Sequence, residues 1–255
     1  MQKESIITIL TSVVLSIVAT SVVVKPSTTS TEAPAPVAQQ APANINASIE
    51  SYLKSNPKIV REALEAAHRQ EEEERQRRSE ESYKTHLNEL HNTSNSPVLG
   101  PKDAKITIVE FFDFNCGYCK RVAPAMKKVL ENNSDVRIIL KPVAFLSATS
   151  QTAAKVLLAA NEIDSKKVIK YYEGLLSTKS SITEDVIYNT VKEAGYNVDE
   201  IKKMMESEKV KKNFEEITQL SQNVEVRGVP TLIINGSPLR AIDYDPIQNA
   251  INNLK

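Results

Sequence analysis

The stretch that most constrains this chain is a strand running through a paired-cysteine turn into a helix. Ile106, Thr107, Ile108, Val109, Glu110, Phe111 and Phe112 form a near-continuous apolar run, the pattern of a strand covered on both faces in an α/β sheet. Asp113-Phe114-Asn115-Cys116-Gly117-Tyr118-Cys119 follows, and from Lys120 to Leu130 the apolar residues Val122, Met126, Val129 and Leu130 take helical spacing. A helix N-terminus offers unpaired N–H groups and the positive end of the peptide dipoles, which favour a thiolate at Cys116. Cys119, one turn inside, lies within reach of a mixed disulfide on Cys116 but is poorly placed to be attacked first. Glu110 is the other anomaly, since a carboxylate inside a buried strand is costly unless it has a task.

Other uses of the two thiols fit less well. A disulfide closing so short a loop removes little entropy from the unfolded chain. A zinc knuckle needs a second ligand pair, and the three histidines, His68, His86 and His91, lie far from the cysteines and are expected on exposed helix or loop. Buried structural thiols would not explain two cysteines three apart where a helix begins. Lys plus Arg and Asp plus Glu each number 32, so the zero net charge gives no support to nucleic acid as a partner. Six glycines and no tryptophan in 255 residues point to a helix-rich protein rather than a sandwich or barrel.

A distant element has the same flavour. Arg227-Gly228-Val229-Pro230-Thr231 precedes an apolar strand, Leu232 to Ile234, and Asn235-Gly236 reads as a type I′ hairpin turn. Together with Glu110 to Cys119 these residues resemble the DsbA-like thiol-disulfide oxidoreductases of the thioredoxin superfamily. The resemblance covers about Val98 to Lys255. It implies a thioredoxin fold with an inserted helical domain, an α/β architecture, and catalysis by protein thiols with no cofactor and no metal. It further implies that Cys116 attacks, Cys119 resolves, Glu110 transfers protons, Gly117 and Tyr118 form the active-site loop, and Val229 with a cis Pro230 docks the substrate strand.

Between the two elements the pattern gives a strand at Val136 to Leu140 and helices at about Ser150–Asn161, Ser165–Leu176, Thr183–Ala194 and Asp199–Asn223. These place the insertion at about 147–223. Its apolar stripe Val156, Leu157, Ala160 and Ile163 reads as core. Ser181-x-x-Glu184 and Asn197-x-x-Glu200 resemble capping boxes, and Asp245-Pro246 is expected to cap the last helix.

Residues 1–24 are uncharged from Ser5 onward and read as a signal peptide or a retained membrane anchor, which places the remainder across a membrane. Residues 25–46, with Pro26, Pro34, Pro36 and Pro42, read as a tether. Residues 47–92 read as a helical module. Asn56-Pro57 marks a helix start within it, an apolar stripe runs from Ile49 to Ala67, and a charged segment runs from His68 to Ser82. That module is either a solvated connector or a surface that packs against copies of itself. Tyr52-Leu53-Lys54-Ser55-Asn56-Pro57 resembles the N-terminal segment of suppressor-of-copper-sensitivity thioredoxins and related α-proteobacterial DsbA-like proteins, some of which are trimeric isomerases.

These features make the expected function an exported disulfide oxidase acting on cysteine-containing secreted or periplasmic proteins with a membrane redox partner. Two alternatives stay open. Gly117-Tyr118 lacks the histidine of strongly oxidising family members and is more like the isomerases, whereas Val229 is unlike the threonine that isomerases place before the cis-proline. An oligomeric isomerase or reductase built through about residues 49–90 is therefore one alternative. A copper(I)-binding periplasmic protein, holding the metal on two thiolates, is the other.

Overall fold

The computed structural model describes residues 44–179 and 181–255, so the segment 1–24 and nearly all of the tether lie outside the described residues. The chain divides into two units, Met1–Pro57 and Lys58–Lys255. The described part of the first is essentially one helix, α1 (Ile45–Ser55), which begins inside the stretch read as tether. Ile45, Ile49, Tyr52 and Leu53 are all exposed on it. Asn56 was expected to cap the next helix. Instead its side-chain amide donates to the Tyr52 carbonyl at 2.8 Å and closes the C-terminal end of α1.

A 29-residue helix, α2 (Pro57–Thr85), starts on the last residue of the first unit and otherwise belongs to the second, where the single turn α3 (Leu87–Leu90) follows it. The first half of α2 is solvated along its length, with Ile59, Val60 and Leu64 exposed. Its second half behaves differently. Residues between Glu72 and Tyr83 are half-buried by turns, Tyr83 is buried, Glu72 pairs with Arg240 at 3.2 Å, and the Ser82 hydroxyl donates to the Asn223 carbonyl. The charged segment is thus partly a docked face. A helix can carry charges and still bury the short atoms on one side.

A five-stranded sheet follows, built from β1 (Val98–Leu99), β2 (Ile106–Phe112), β3 (Val136–Pro142), β4 (Thr231–Ile234) and β5 (Ser237–Leu239) in the order β1-β3-β2-β4-β5. β2 and β3 are parallel, and the other pairings are antiparallel. The crossover between β2 and β3 is α4 (Gly117–Asn132), and α10 (Tyr244–Asn252) packs beside it. All seven residues of β2 are buried, which is why the run lacks alternation. The Asn235-Gly236 turn has positive φ at both positions, 46° and 83°, as a type I′ hairpin requires.

Between β3 and β4 the chain leaves the sheet for α5 (Ala148–Asp164), α6 (Val168–Leu176), α7 (Glu184–Glu193), α8 (Val198–Met205) and α9 (Glu208–Asn223). Val156, Leu157 and Ala160 are fully buried on α5, and Ile163 packs against them at the margin. Where one helix was expected from Asp199 to Asn223 there are two, because the Ser207 hydroxyl accepts from the Val210 amide and restarts the chain as α9. Thr183, not Ser181, is the N-cap of α7, and Asp243, not Asp245, stands at the N-cap of α10. Asn197 caps α8 as expected, accepting from the amides of Asp199 and Glu200. Among the described residues no helix is long and apolar enough to cross a membrane.

Candidate active site

The site forms where β2 ends, α4 begins and the loop before β4 arrives. Cys116 occupies the N-cap of α4 with extended backbone. Its amide donates to the Asp113 carbonyl at 3.0 Å, and its carbonyl accepts from the Lys120 amide at 3.1 Å, so the turn delivers the thiol to the end of the helix. The Val229–Pro230 peptide is cis, and the Cys116 thiol donates to the Val229 carbonyl at 3.2 Å. Two elements 113 residues apart in sequence therefore meet at one sulfur.

Both cysteines are free thiols in this structure, and they differ in access. Cys116 keeps 7 % of its surface, whereas Cys119 has none. Gly117 and Tyr118 separate them on the outer side. Tyr118 is 60 % exposed with the Arg121 guanidinium over its ring, and a Cβ at Gly117 would meet nothing within 4 Å. The flank of Cys116 is open. Burial pushes the Cys119 thiol far above the ordinary thiol range; a backbone hydrogen bond from Asp113 pulls it down, and the Glu110 carboxylate pushes it further up. A thiol held neutral in this way needs a nearby group to exchange protons with before it can act as a nucleophile.

Glu110 is an ionisable group close enough to Cys119 to act on its thiol. It is wholly buried, and burial raises its pKa from 4.5 to about 7, with the Tyr172 hydroxyl, donating to Oε2 at 2.7 Å, acting in the opposite direction. Its other oxygen, Oε1, has no hydrogen-bond partner among the described residues. Tyr172 comes from α6, so the inserted helices complete the environment of an acid carried by the sheet. Edge-to-face contacts of Phe112 with Phe114 and Tyr172, at centroid distances of 5.0 and 5.3 Å, fix α6 against the end of β2.

Two further residues organise the turn and were not singled out from the sequence. Asp113 is fully buried and accepts four hydrogen bonds: from the amides of Phe145 and Leu146 on Oδ2, and from the Asn115 amide and the Ser150 hydroxyl on Oδ1. Asn115 in turn directs its amide at the hydroxyls of Ser147, Thr149 and Ser150. Asp113 carried a signal related to that of Glu110: Glu110 is a carboxylate within a buried strand, and Asp113 one directly after it. Tyr172 carried none, because an aromatic on an amphipathic helix reads as core. His91, expected exposed, is half-buried, and its Nε2 has no partner among the described residues. It lies beside Lys141 rather than beside the thiols.

Residues 107–254 match the family described as the DSBA-like thioredoxin domain. The chain is similar to "Probable disulfide bond formation protein D" of Bacillus anthracis, 27 % identical over 176 residues, which span 65 % of this chain and 81 % of the relative. Among solved structures it resembles the catalytic domain of Proteus mirabilis ScsC, with a TM-score of 0.62 and 27 % identity over 68 % of this chain and 97 % of that one. ScsC in a transitional conformation gives a TM-score of 0.63 and 28 % identity over 83 % and 95 %. The thiol-disulfide exchange protein alpha-DsbA2 from Wolbachia pipientis, at 21 % identity and a TM-score of 0.64 over 69 % and 96 %, shares the fold. With a thiol pair at the head of a helix, a carboxyl group behind it and a cis-proline loop across from it, this chain belongs to the DsbA-like thioredoxin family and is a protein-disulfide oxidoreductase.

Proposed function

We propose that the protein is exported to the periplasm and introduces disulfides into cysteine-containing secreted or periplasmic proteins. Cys116 is the exchanging sulfur, Cys119 the resolving one, Glu110 the proton-transfer group, and Val229-Pro230 the docking edge for substrate. The observation that carries this reading is the contact of the Cys116 thiol with the Val229 carbonyl while Cys119 lies sealed behind it. In the oxidising direction a substrate thiolate attacks Cys116 of the Cys116–Cys119 disulfide. The S–S bond breaks, and Cys119 leaves and takes up a proton from Glu110. A second substrate thiolate then attacks the substrate sulfur of the mixed disulfide and releases Cys116 as a thiolate, so two electrons pass from substrate to enzyme, while the two substrate thiols lose their protons to water, from which Glu110 is reprotonated. Glu110, with a pKa of about 7, is about half protonated at neutrality and can give or take that proton in either direction. A membrane redox partner would then withdraw the electrons.

An oligomeric isomerase is the second reading, favoured by the exposed apolar residues Ile45, Ile49 and Leu53 on α1 and Ile59, Val60 and Leu64 on α2. Cys116→Ser should abolish oxidation of a reduced dithiol substrate, and retained turnover would sink the whole assignment. Ile49→Glu with Leu64→Glu should lower the solution mass in light scattering and slow the refolding of a scrambled multi-disulfide protein. If mass and refolding rate both stay unchanged, the oxidase reading stands alone.

A further inference from the structure

A cavity of about 410 Å³ lies along the cis-proline loop, and its far wall is the docked half of α2. Three guanidinium groups line it: Arg75 from α2, Arg227 from the loop, and Arg240 just past β5. Among the described residues two carboxylates pair with them. Glu225 pairs with Arg227 at 2.9 Å, while Glu72 is shared between Arg75 and Arg240. Three guanidinium cations against two carboxylates leave one positive charge in excess, and with five N–H donors per guanidinium and about four acceptor sites per carboxylate, donors are left over as well. The backbone from Gly228 to Thr231 forms the near wall, and a Cβ at Gly228 would meet nothing within 4 Å, so this side of the loop is open. Val229, whose carbonyl touches Cys116, belongs to the same wall.

We infer that this cavity is a specificity site for a carboxylate side chain, and that the enzyme prefers substrate segments with an aspartate or glutamate within a few residues of the reacting cysteine. The inference rests on Val229-Pro230 being the edge where substrate docks. A strand laid along that edge places its flanking side chains over the loop, toward Arg227, Arg240 and Arg75. Arg forks match a carboxylate in two-point geometry, and the spare donors of Arg75 and Arg240 converge where a single glutamate now serves both. α2 is then part of the substrate site, since without it Arg75 and Ser79 are missing from the far wall.

The test uses the full chain carrying Cys119→Ser, so that Cys116 stops at the mixed disulfide. Three peptides of equal length carry one cysteine activated as a 2-thiopyridyl disulfide, flanked by two glutamates, two glutamines or two lysines. Attack by the Cys116 thiolate forms the Cys116–peptide disulfide and releases 2-thiopyridone, which is read by absorbance. The glutamate peptide should react about tenfold faster than the lysine peptide at low ionic strength, and that ratio should shrink as salt is raised. Arg75→Gln with Arg240→Gln should bring the ratio to about twofold or less. Arg121→Gln, which removes a cation that stacks on Tyr118 and does not line the cavity, should leave the ratio in place. Glu72→Gln frees two guanidinium groups and should raise the ratio about threefold, a change that a misfolded variant would not produce. A ratio near one before any arginine is changed, or one that survives the double substitution, overturns the inference while leaving the oxidoreductase assignment intact. Failure of all three peptides to react overturns the docking reading and the inference with it.

Discussion

Glu110 and Lys141 are both wholly buried ionisable side chains on neighbouring strands of one sheet, and the protein treats them in opposite ways. Glu110 lies opposite Leu140 in the register, and Lys141 opposite Phe111, so the two point to opposite faces. Lys141 hands its three N–H donors to the carbonyls of Asn92 and Glu89 and to Asn95 Oδ1, and Asn95 passes the link on to Glu216 of α9. Burial lowers its pKa to about 7, with Glu216 opposing. Glu110 has one hydrogen bond and one empty oxygen. A buried charge with every donor occupied fastens the end of α3 to the sheet, whereas a buried acid with a spare lone pair is still available for a proton. In the proposed mechanism this difference, rather than burial or pKa, separates scaffold from chemistry, because by those two measures the residues match.

The strongest way to break this comparison is Glu110→Gln. Resolution of a mixed disulfide by Cys119 should slow about 100-fold at neutral pH, and the inflection near pH 7 in its rate profile should vanish. The same variant should gain stability. A carboxyl group whose folded pKa lies above its unfolded one holds more protons folded than unfolded between about pH 4.5 and 7, so stability falls as pH rises through that window and stays low above it. The loss is on the order of 3 kcal/mol, and urea unfolding at pH 5 and pH 8 should show it in the parent and not in the variant. If the variant is slower but shows the same pH-dependent loss, the buried carboxyl is not its source.

Lys141→Met should do the reverse. It leaves oxygens at Asn92 and Asn95 short of a donor, so stability should drop by roughly 1–3 kcal/mol at neutral pH, while the exchange rate stays within about twofold. The parent should also gain stability as pH rises from about 7 toward 10.5, because the unfolded lysine holds its proton in that window and the folded one does not; the variant should lack that rise. A large rate loss in Lys141→Met would erase the distinction drawn above. The smallest effect is expected from Tyr172→Phe. Its hydroxyl is the one contact holding the Glu110 pKa down, so the inflection in the rate profile should move upward from 7. Removing the hydrogen bond should cost about 1 kcal/mol of stability by denaturant titration.

The contrast also marks what could be read from residues alone. Glu110 was legible because a charge in the middle of an apolar run needs an explanation, Cys116 and Cys119 because of their spacing at a helix start, and Pro230 through the resemblance of its loop to the family's. Lys141 escaped notice although it is as anomalous as Glu110, since it falls at the end of β3, where a lysine reads as the strand surfacing. Only the fold brings α3 and the Asn92–Asn95 turn over it. The helices of the insertion were legible from their 3.6-residue period, but their ends were not. Several residues there can cap, and the choice between Ser181 and Thr183 depends on which hydroxyl meets an amide after packing. The docked half of α2 was hidden for a related reason: some of its charges are themselves part of the docked face, as in the Glu72–Arg240 pair, and composition cannot tell those from solvated ones.

The four hydrogen bonds to Asp113 have a mechanical consequence. Three of them come from outside the active-site turn, two from the loop after β3 and one from the first turn of α5, and Asn115 adds more to the same segment. The residues leading into Cys116 are thus held by the start of the helical insertion as well as by the sheet they grow from. In terms of degrees of freedom, the sulfur has two anchors, β2 through the chain and the insertion through Asp113 and Asn115, so its approach to the Val229 carbonyl is set by both halves of the fold at once.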